Sequence, residues 1–359
     1  MANMDYSGRQ HRLESELQRL KLDAMLITHM PNVRYLTGFT GSAAALLLGR
    51  RPVFITDGRY AAQARQQVEQ ARVVVAKGGS LPGVIGKIAA RKPARLGIEA
   101  EHTTVATHAL LARQLHGVKL IATSGVVEGL RMLKEPAEVE AIRQAVLLGD
   151  RLLPLVLRRL RPGRSEVEVA AQLEYAARRA GAEGMSFETI VASGLRSALP
   201  HGVASQALLP QLGFVVLDYG VILHGYCSDM SRTVHLGKAT RQAREWYSAV
   251  LEAQLAAIST VSPGTKISEV DGAARSVLKR SKLAKFFTHS TGHGVGLEIH
   301  EPPRVAASQD GELKPGMVIT IEPGIYVPGK GGIRIEDMVL VTARGYELLT
   351  SARKDFVEV

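Results

Sequence analysis

Hydrophobic positions along the chain change period several times, and each change marks an element. Residues 11–23 carry Leu13, Leu17 and Leu20 at helical spacing and predict an amphipathic helix. Residues 24–28 are a short apolar run, the signature of a buried strand. Residues 32–42 are dense in Gly and Asn and predict a loop. Apolar runs at 43–48 and 52–56 predict a hairpin, and residues 60–70 a helix. Residues 72–76, 95–99 and 119–122 add three strands, with helices between them. Strands and helices alternating at this spacing predict an α/β domain.

The pattern then shifts. A long helical stretch covers 137–160 and is stopped by Arg161-Pro162-Gly163. Ser165 reads as the N-cap of the next helix, 165–180, with Glu168 as its capping-box partner. Strands dominate from residue 186. Helices return at 240–261 and 267–281, again split by a Pro-Gly pair, Pro263-Gly264. Long helix, Pro-Gly, helix, strands thus occurs twice, over 137–235 and 240–342. Two related αβ halves facing each other would place a site at their seam. The domain boundary is expected near 123–136, giving domains over 1–128 and 129–359.

Composition narrows the class. With 359 residues, 46% of them hydrophobic, the chain is long enough for two cores. No apolar run approaches the roughly 18 residues of a membrane span. Residues 1–12 are polar, unlike a secretory signal, and the lone Cys227 excludes an internal disulfide framework. The expectation is a cytoplasmic protein with no membrane partner. The net charge of +11 is uneven: residues 1–130 hold 17 Lys/Arg against 9 Asp/Glu, the rest 28 against 25. Basic residues are not interleaved with aromatics and no finger spacing is present, so no nucleic-acid partner is expected.

The chemistry lies in four acids that interrupt strand-like runs. Asp218 ends Phe214-Val215-Val216-Leu217-Asp218, and Asp229 precedes Met230-Ser231-Arg232-Thr233-Val234. Glu322 follows Val318-Ile319-Thr320-Ile321, and Glu336 lies within Ile333-Arg334-Ile335-Glu336-Asp337-Met338. A carboxylate buried alone loses its hydration, so such acids need cations. No matching run of buried Lys or Arg is present. Asp218 and Asp229 read as lying on adjacent strands, where ladder neighbours are about 5 Å apart. His293 sits in Gly292-His293-Gly294, whose glycines permit close backbone approach. Four carboxylates and a neutral imidazole balance two divalent ions. Such ligands suit Mn²⁺, Co²⁺, Fe²⁺ or Zn²⁺, and a shared water between two ions becomes a nucleophile near neutral pH.

These segments resemble the pita-bread metallopeptidases, specifically the Xaa-Pro branch of aminopeptidase P and prolidase. The likeness is carried by Leu217-Asp218-Tyr219-Gly220, Ser228-Asp229-Met230-Ser231-Arg232-Thr233, the stretch from His289 through His293 to His300-Glu301, Ile321-Glu322-Pro323-Gly324 and Ile333-Arg334-Ile335-Glu336-Asp337. Residues 32–42 and Asp57-Gly58-Arg59-Tyr60 extend it to the N-terminal part. The resemblance implies an α/β N-terminal domain with a mixed sheet and an α+β pita-bread C-terminal domain with a pseudo-two-fold αβ repeat. It implies that Asp218 holds one metal, that Asp229 and Glu336 bridge both, and that His293 and Glu322 hold the second. Glu322 would also take the proton of the attacking water. By the same likeness His201 contacts substrate near the scissile bond, His300 hydrogen-bonds the peptide carbonyl, and His289 shuttles a proton. Arg334 would contact the proline side and steady the ligands. The cofactor would be two divalent ions, Mn²⁺ or Co²⁺ ahead of Zn²⁺ or Fe²⁺. The partners would be short proline-containing peptides and a second copy of the chain. Residues 32–42, with Tyr35 and Phe39, are expected to approach the partner subunit's active site.

Other readings fit less well. A creatinase-like hydrolase of non-peptide C–N bonds, or a peptide-binding module without catalysis, should have lost ligands, and none is missing here. Methionine aminopeptidase lacks so long an N-terminal domain. His300-Glu301 opens like a zincin motif, but Arg304 stands where the second His belongs. Cys227 reads as a small strand residue rather than a nucleophile. Trp246 reads as core.

Overall fold

A computed structural model describes residues 4–359. The chain divides into two compact units, with the boundary between Arg131 and Met132. Among the described residues no helix is long and apolar enough to cross a membrane.

The first unit is built on a six-stranded mixed sheet. Its strand order is Arg72–Val75, Val53–Thr56, Ala44–Gly49, Ala24–Ile27, Arg95–Glu99, Lys119–Thr123. Ala24–Ile27 is antiparallel to Ala44–Gly49 and parallel to Arg95–Glu99. The three central strands Ala24–Ile27, Ala44–Gly49 and Val53–Thr56 are buried at every position. Their continuous apolar runs, rather than alternating ones, follow from having both faces covered.

Two expectations are corrected in this unit. The first helix is Tyr6–Arg19, capped by Asp5, so it starts five residues before position 11. Residues 32–37, read as part of a loop, belong to the helix Met30–Thr37. Pro31 fits the first helical turn and Gly38, at φ 79°, supplies the left-handed end, so the breakers mark the ends of a helix. Tyr35 and Phe39 are 1% and 0% exposed. The Arg9 guanidinium lies over the Tyr35 ring at 4.3 Å, and Phe39 packs edge-on to Phe54. Both rings are used up in their own core and cannot be presented to a partner's site.

The second unit contains two helix-pair-plus-sheet halves. Helices Pro136–Leu157 and Glu166–Arg179 pack on the sheet Met230–Leu236, Gly213–Tyr219, Ile190–Ser193. The Ser165–Glu168 capping box is present in full. Helices Arg241–Thr260 and Ile267–Arg280 pack on a five-stranded sheet. Its order is Glu301–Val305, Gly292–Gly294, Val318–Ile321, Asp337–Thr342, Gly345–Leu348. Each half has its own apolar core, which is the physical content of the repeat. Trp246, expected in the core, is only half-buried, with the Lys330 ammonium 5.8 Å above its ring.

Candidate metal centre

The antiparallel register places the acids. Ser231 lies opposite Asp218 and Met230 opposite Tyr219, so Asp229 extends from the strand end beside Asp218. The chain between them forms a small hairpin, Val221–Leu223 with Tyr226–Cys227. It turns through His224 and Gly225, both at positive φ, as a tight hairpin requires. Gly220 is obligatory here: a Cβ would lie 1.8 Å from the Ser228 carbonyl oxygen. On the second sheet Ile321 pairs with Asp337, so Glu322 and Glu336 flank one rung of the ladder. His293 is the middle residue of Gly292–Gly294, where a Cβ on Gly292 would lie 1.9 Å from the Thr320 oxygen.

All nine side chains named from the sequence line one cavity of about 800 Å³: His201, Asp218, Asp229, His289, His293, His300, Glu322, Arg334 and Glu336. Within it they are not equivalent. Asp229, His293 and Glu336 each offer a ligand atom within 4.8 Å of the others. His293 Nε2 lies 3.6 Å from Asp229 Oδ2 and 3.3 Å from Glu322 Oε1. Asp218 is turned differently, its Oδ2 accepting from Arg334 Nη2 at 2.5 Å. The five are therefore a tight group of three, with Glu322 touching it through His293 and Asp218 held by a guanidinium.

Hydrogen bonds fix the orientation of the candidate ligands. His293 Nδ1 faces the Gly294 carbonyl at 3.0 Å, so Nδ1 carries the proton and the Nε2 lone pair points at the acids. Thr320 accepts from the His293 amide and donates to Glu322 Oε1. Ser231 accepts from Arg334 Nε at 2.8 Å and donates to Glu336 Oε2 at 2.9 Å. Arg334 also donates to the Tyr326 hydroxyl and to the Pro200 carbonyl, next to His201. His289 Nδ1 faces the Ser290 carbonyl, so its Nε2 accepts from the Tyr326 hydroxyl at 2.9 Å. His300 packs edge-on to His293, with ring centroids 4.4 Å apart. Ser231, Thr320 and Tyr326 were missed from the sequence because their roles depend on strand register.

The electrostatics ask for a cation. Burial, with the neighbouring carboxylates, holds Asp229 and Glu336 well above the usual carboxylate range. Burial, then the charge of Asp218, pushes Glu322 up to about 8. Burial and the adjacent Arg334 hold His289 down to about 4, so it is neutral at ordinary pH. Burial, then His293 and His201, also lowers His300. Asp218 Oδ1 and Glu336 Oε1 are buried and have no protein partner. Oxygen-rich donors with one neutral imidazole, and orphaned carboxylate oxygens among them, fit a hard or borderline divalent metal.

Residues outside the sequence reading complete the wall. Phe187, Ile190, Val203, Ile299 and Pro302 are apolar, whereas Glu188 and Arg304 are exposed and charged. Arg304 was noticed only as the residue that breaks a zincin motif. The clue lay in strand alternation: Pro302 and Arg304 are the exposed positions of Glu301–Val305, and both face the cavity.

Comparison with known proteins is consistent along the chain. Residues 140–343 match the family described as metallopeptidase family M24, and residues 9–133 match the creatinase/prolidase N-terminal domain. An Xaa-Pro dipeptidase of Bacillus anthracis superposes with a TM-score of 0.96 at 39% identity, covering 99% of this chain and 100% of that one. An X-Pro aminopeptidase of Thermotoga maritima gives 0.89 at 36% identity, covering 96% and 100%. The Xaa-Pro dipeptidase of Pyrococcus horikoshii is 34% identical over 95% of this chain and 96% of its own.

Proposed function

The chain belongs to metallopeptidase family M24, and from that premise we propose that it is an Xaa-Pro dipeptidase. It would hydrolyse the bond between an N-terminal residue and a C-terminal proline. The observation that carries the reading is the convergence of Asp218, Asp229, His293, Glu322 and Glu336 on one cavity with three histidines and orphaned buried carboxylate oxygens.

Those five side chains would hold two divalent ions, with Mn²⁺ and Co²⁺ the first to test; bound, they lower the pKa of water and polarise a carbonyl. The remaining steps belong to the protein. Glu322, 3.3 Å from His293 Nε2, would be ionised once the cations are bound and is placed to take a proton from water. His300 borders His293 and is placed to donate to the scissile carbonyl oxygen as charge develops on it. His201 lies on the exposed rim of the cavity and would contact substrate beside the bond that breaks. His289 holds Tyr326, and through it Arg334, in place; with both ring nitrogens engaged and little basicity, it is a better orienting group than a shuttle.

Proline offers no amide N–H, so its pocket needs apolar walls rather than an acceptor. Phe187, Ile190, Val203, Ile299 and Pro302 supply such walls. The dipeptidase choice rests on Arg304. Arg334 is committed to Asp218, Ser231, Tyr326 and Pro200, whereas Arg304 faces the cavity with no ion pair among the described residues. A dipeptide carries a free carboxylate on its proline, the charge that such a cation on the cavity wall would receive.

The test is hydrolysis of Ala-Pro and Ala-Pro-Ala by chelated protein, with and without added Mn²⁺ or Co²⁺. Metal-dependent cleavage of Ala-Pro alone supports the reading. Release of alanine from Ala-Pro-Ala makes it an aminopeptidase. Cleavage of neither, with metal bound, removes the peptidase reading.

A further inference from the structure

We propose that Glu301, whose carboxylate Lys134 neutralises, is a positioning residue for His300 through the hydrogen bond it accepts from the Glu298 amide. The proposal rests on the reading above in taking His300 as the group that meets the scissile carbonyl.

Lys134 lies at the start of the second unit, three residues after the boundary at Arg131. Its Nζ is 3.0 Å from Glu301 Oε2, and the two side chains are 1% and 3% exposed. An ion pair this dry is costly to assemble and is a poor device for stability alone, since an apolar pair of similar volume often does as well. Its location suggests a second use. Glu301 immediately follows His300 and begins the strand Glu301–Val305.

The loop that carries His300 is wound around this carboxylate. Glu301 Oε1 accepts from the Glu298 amide at 3.1 Å. The Gly296 amide donates to the Glu298 carbonyl, and the Gly296 carbonyl accepts from the Cys227 amide at 2.8 Å. A Cβ on Gly296 would lie 2.6 Å from Glu301 Oε2, so the backbone closes directly onto the charge. The loop delivers the His300 ring edge-on to His293. Lys134 is itself fixed: its amide donates to the Gly316 carbonyl at 2.8 Å, in the turn that leads to Val318–Ile321 and Glu322. The ammonium therefore fixes the carboxylate, the carboxylate fixes the loop, and the loop fixes the imidazole. None of these residues other than His300 needs to touch substrate.

Three variants separate positioning from plain structural support. Lys134→Met removes the ammonium from beside the buried Glu301 carboxylate. The pair Lys134→Met with Glu301→Gln is neutral and keeps an oxygen for the Glu298 amide. The pair Lys134→Met with Glu301→Leu is neutral and loses that oxygen. We expect both double variants to fold, because each removes the Lys134 charge together with the Glu301 charge. With Mn²⁺ and Ala-Pro, the Gln double should retain kcat to within about tenfold. The Leu double should lose about 100-fold in kcat with KM and Mn²⁺ affinity within about threefold, the size of effect that a misplacement of about 1 Å produces. Wild-type kcat in the Leu double would overturn the proposal, as would an equal loss in both doubles. A single variant that does not fold leaves the two neutral doubles to decide.

The ¹⁵N resonances of the His300 imidazole give a readout that needs no turnover. They should match wild type in the Gln double and shift or broaden in the Leu double; an unperturbed His300 in the Leu double sinks the idea. If wild-type protein binds Mn²⁺ but does not cleave Ala-Pro, the dipeptidase reading fails, and the resonances still decide whether Glu301 places His300.

Discussion

Arg334 and Asp218, both buried, are joined by a 2.5 Å hydrogen bond from Nη2 to Oδ2, and the same guanidinium donates through Nε to Ser231, which in turn holds Glu336. One planar cation thus orients Asp218 on the three-stranded sheet and, through Ser231, Glu336 at the edge of the five-stranded one. Its fork geometry is what allows this: Nε, Nη1 and Nη2 reach separate partners, which the single nitrogen of a lysine ammonium cannot span.

Arg334→Lys should therefore keep the charge and lose the arrangement. We expect Mn²⁺ affinity to fall about 10- to 100-fold, the usual loss when a group that orients a metal ligand is removed. Isothermal titration of Arg334→Lys against wild type measures it. Wild-type affinity in the lysine variant would mean that Asp218 is oriented without the guanidinium.

The acids also set the pH dependence. Glu322 is raised to about 8, so the folded apo protein holds more protons than the unfolded chain between the ordinary glutamate value and about 8. That contribution to stability is present at low pH and is lost as pH rises through about 8. His289 works in the opposite direction below about pH 6.5, because its folded value is near 4 and the unfolded chain takes up the proton first. Between roughly pH 6.5 and 8 the acid effect acts alone. Chelated protein should melt at progressively lower temperature across that window, and Mn²⁺ should reverse the trend while releasing protons. Calorimetry in buffers of different ionisation enthalpy counts those protons; a count of zero contradicts the assignment.

Tyr326→Phe removes one hydroxyl that serves two partners, the buried Arg334 Nη1 and the half-buried His289 Nε2. Leaving them unsatisfied should cost about 1–3 kcal/mol of stability. It should also lower kcat about tenfold, because Arg334 loses one of its anchors. Urea unfolding alongside steady-state rates tests both. Loss of stability with unchanged kcat would confine Tyr326 to the fold.

Part of this arrangement is legible in the sequence because burial makes acids conspicuous. Asp218 and Glu322 stand at the ends of apolar runs, where a carboxylate needs a reason to be, and His293 is announced by glycines that only close backbone packing requires. The helical halves are legible through their Pro-Gly breaks and the Ser165 capping box. Ser231, Thr320 and Tyr326 are not legible: a hydroxyl in a strand looks the same whether it faces water or a metal ligand, until the register puts Ser231 opposite Asp218. Met30–Thr37 was misread for a different reason. Pro31 and Gly38 are breakers in composition but end signals in position, and the helix between them is held by Tyr35 and Leu36 in the core. Lys134 carried no signal, since its partner is 167 residues away.

Arg304 gives the sharpest test of what lies beyond the scissile bond. If its guanidinium receives the proline carboxylate, Arg304→Met should raise KM for Ala-Pro by about 10- to 100-fold, the worth of one charge-assisted hydrogen bond in a partly desolvated site. The same substitution should leave the prolinamide analogue, Ala-Pro-NH₂, nearly unchanged, because that substrate has no charge to lose. Wild type should in turn prefer the free acid over the amide by a similar factor. The comparison is internal to one enzyme and one bond, so differences in folding or metal loading cancel. If Arg304→Met weakens acid and amide alike, the arginine shapes the wall rather than reading a charge. If it weakens neither, the cavity is open on that side, longer peptides can enter, and cleavage of Ala-Pro-Ala becomes the activity that the site supports.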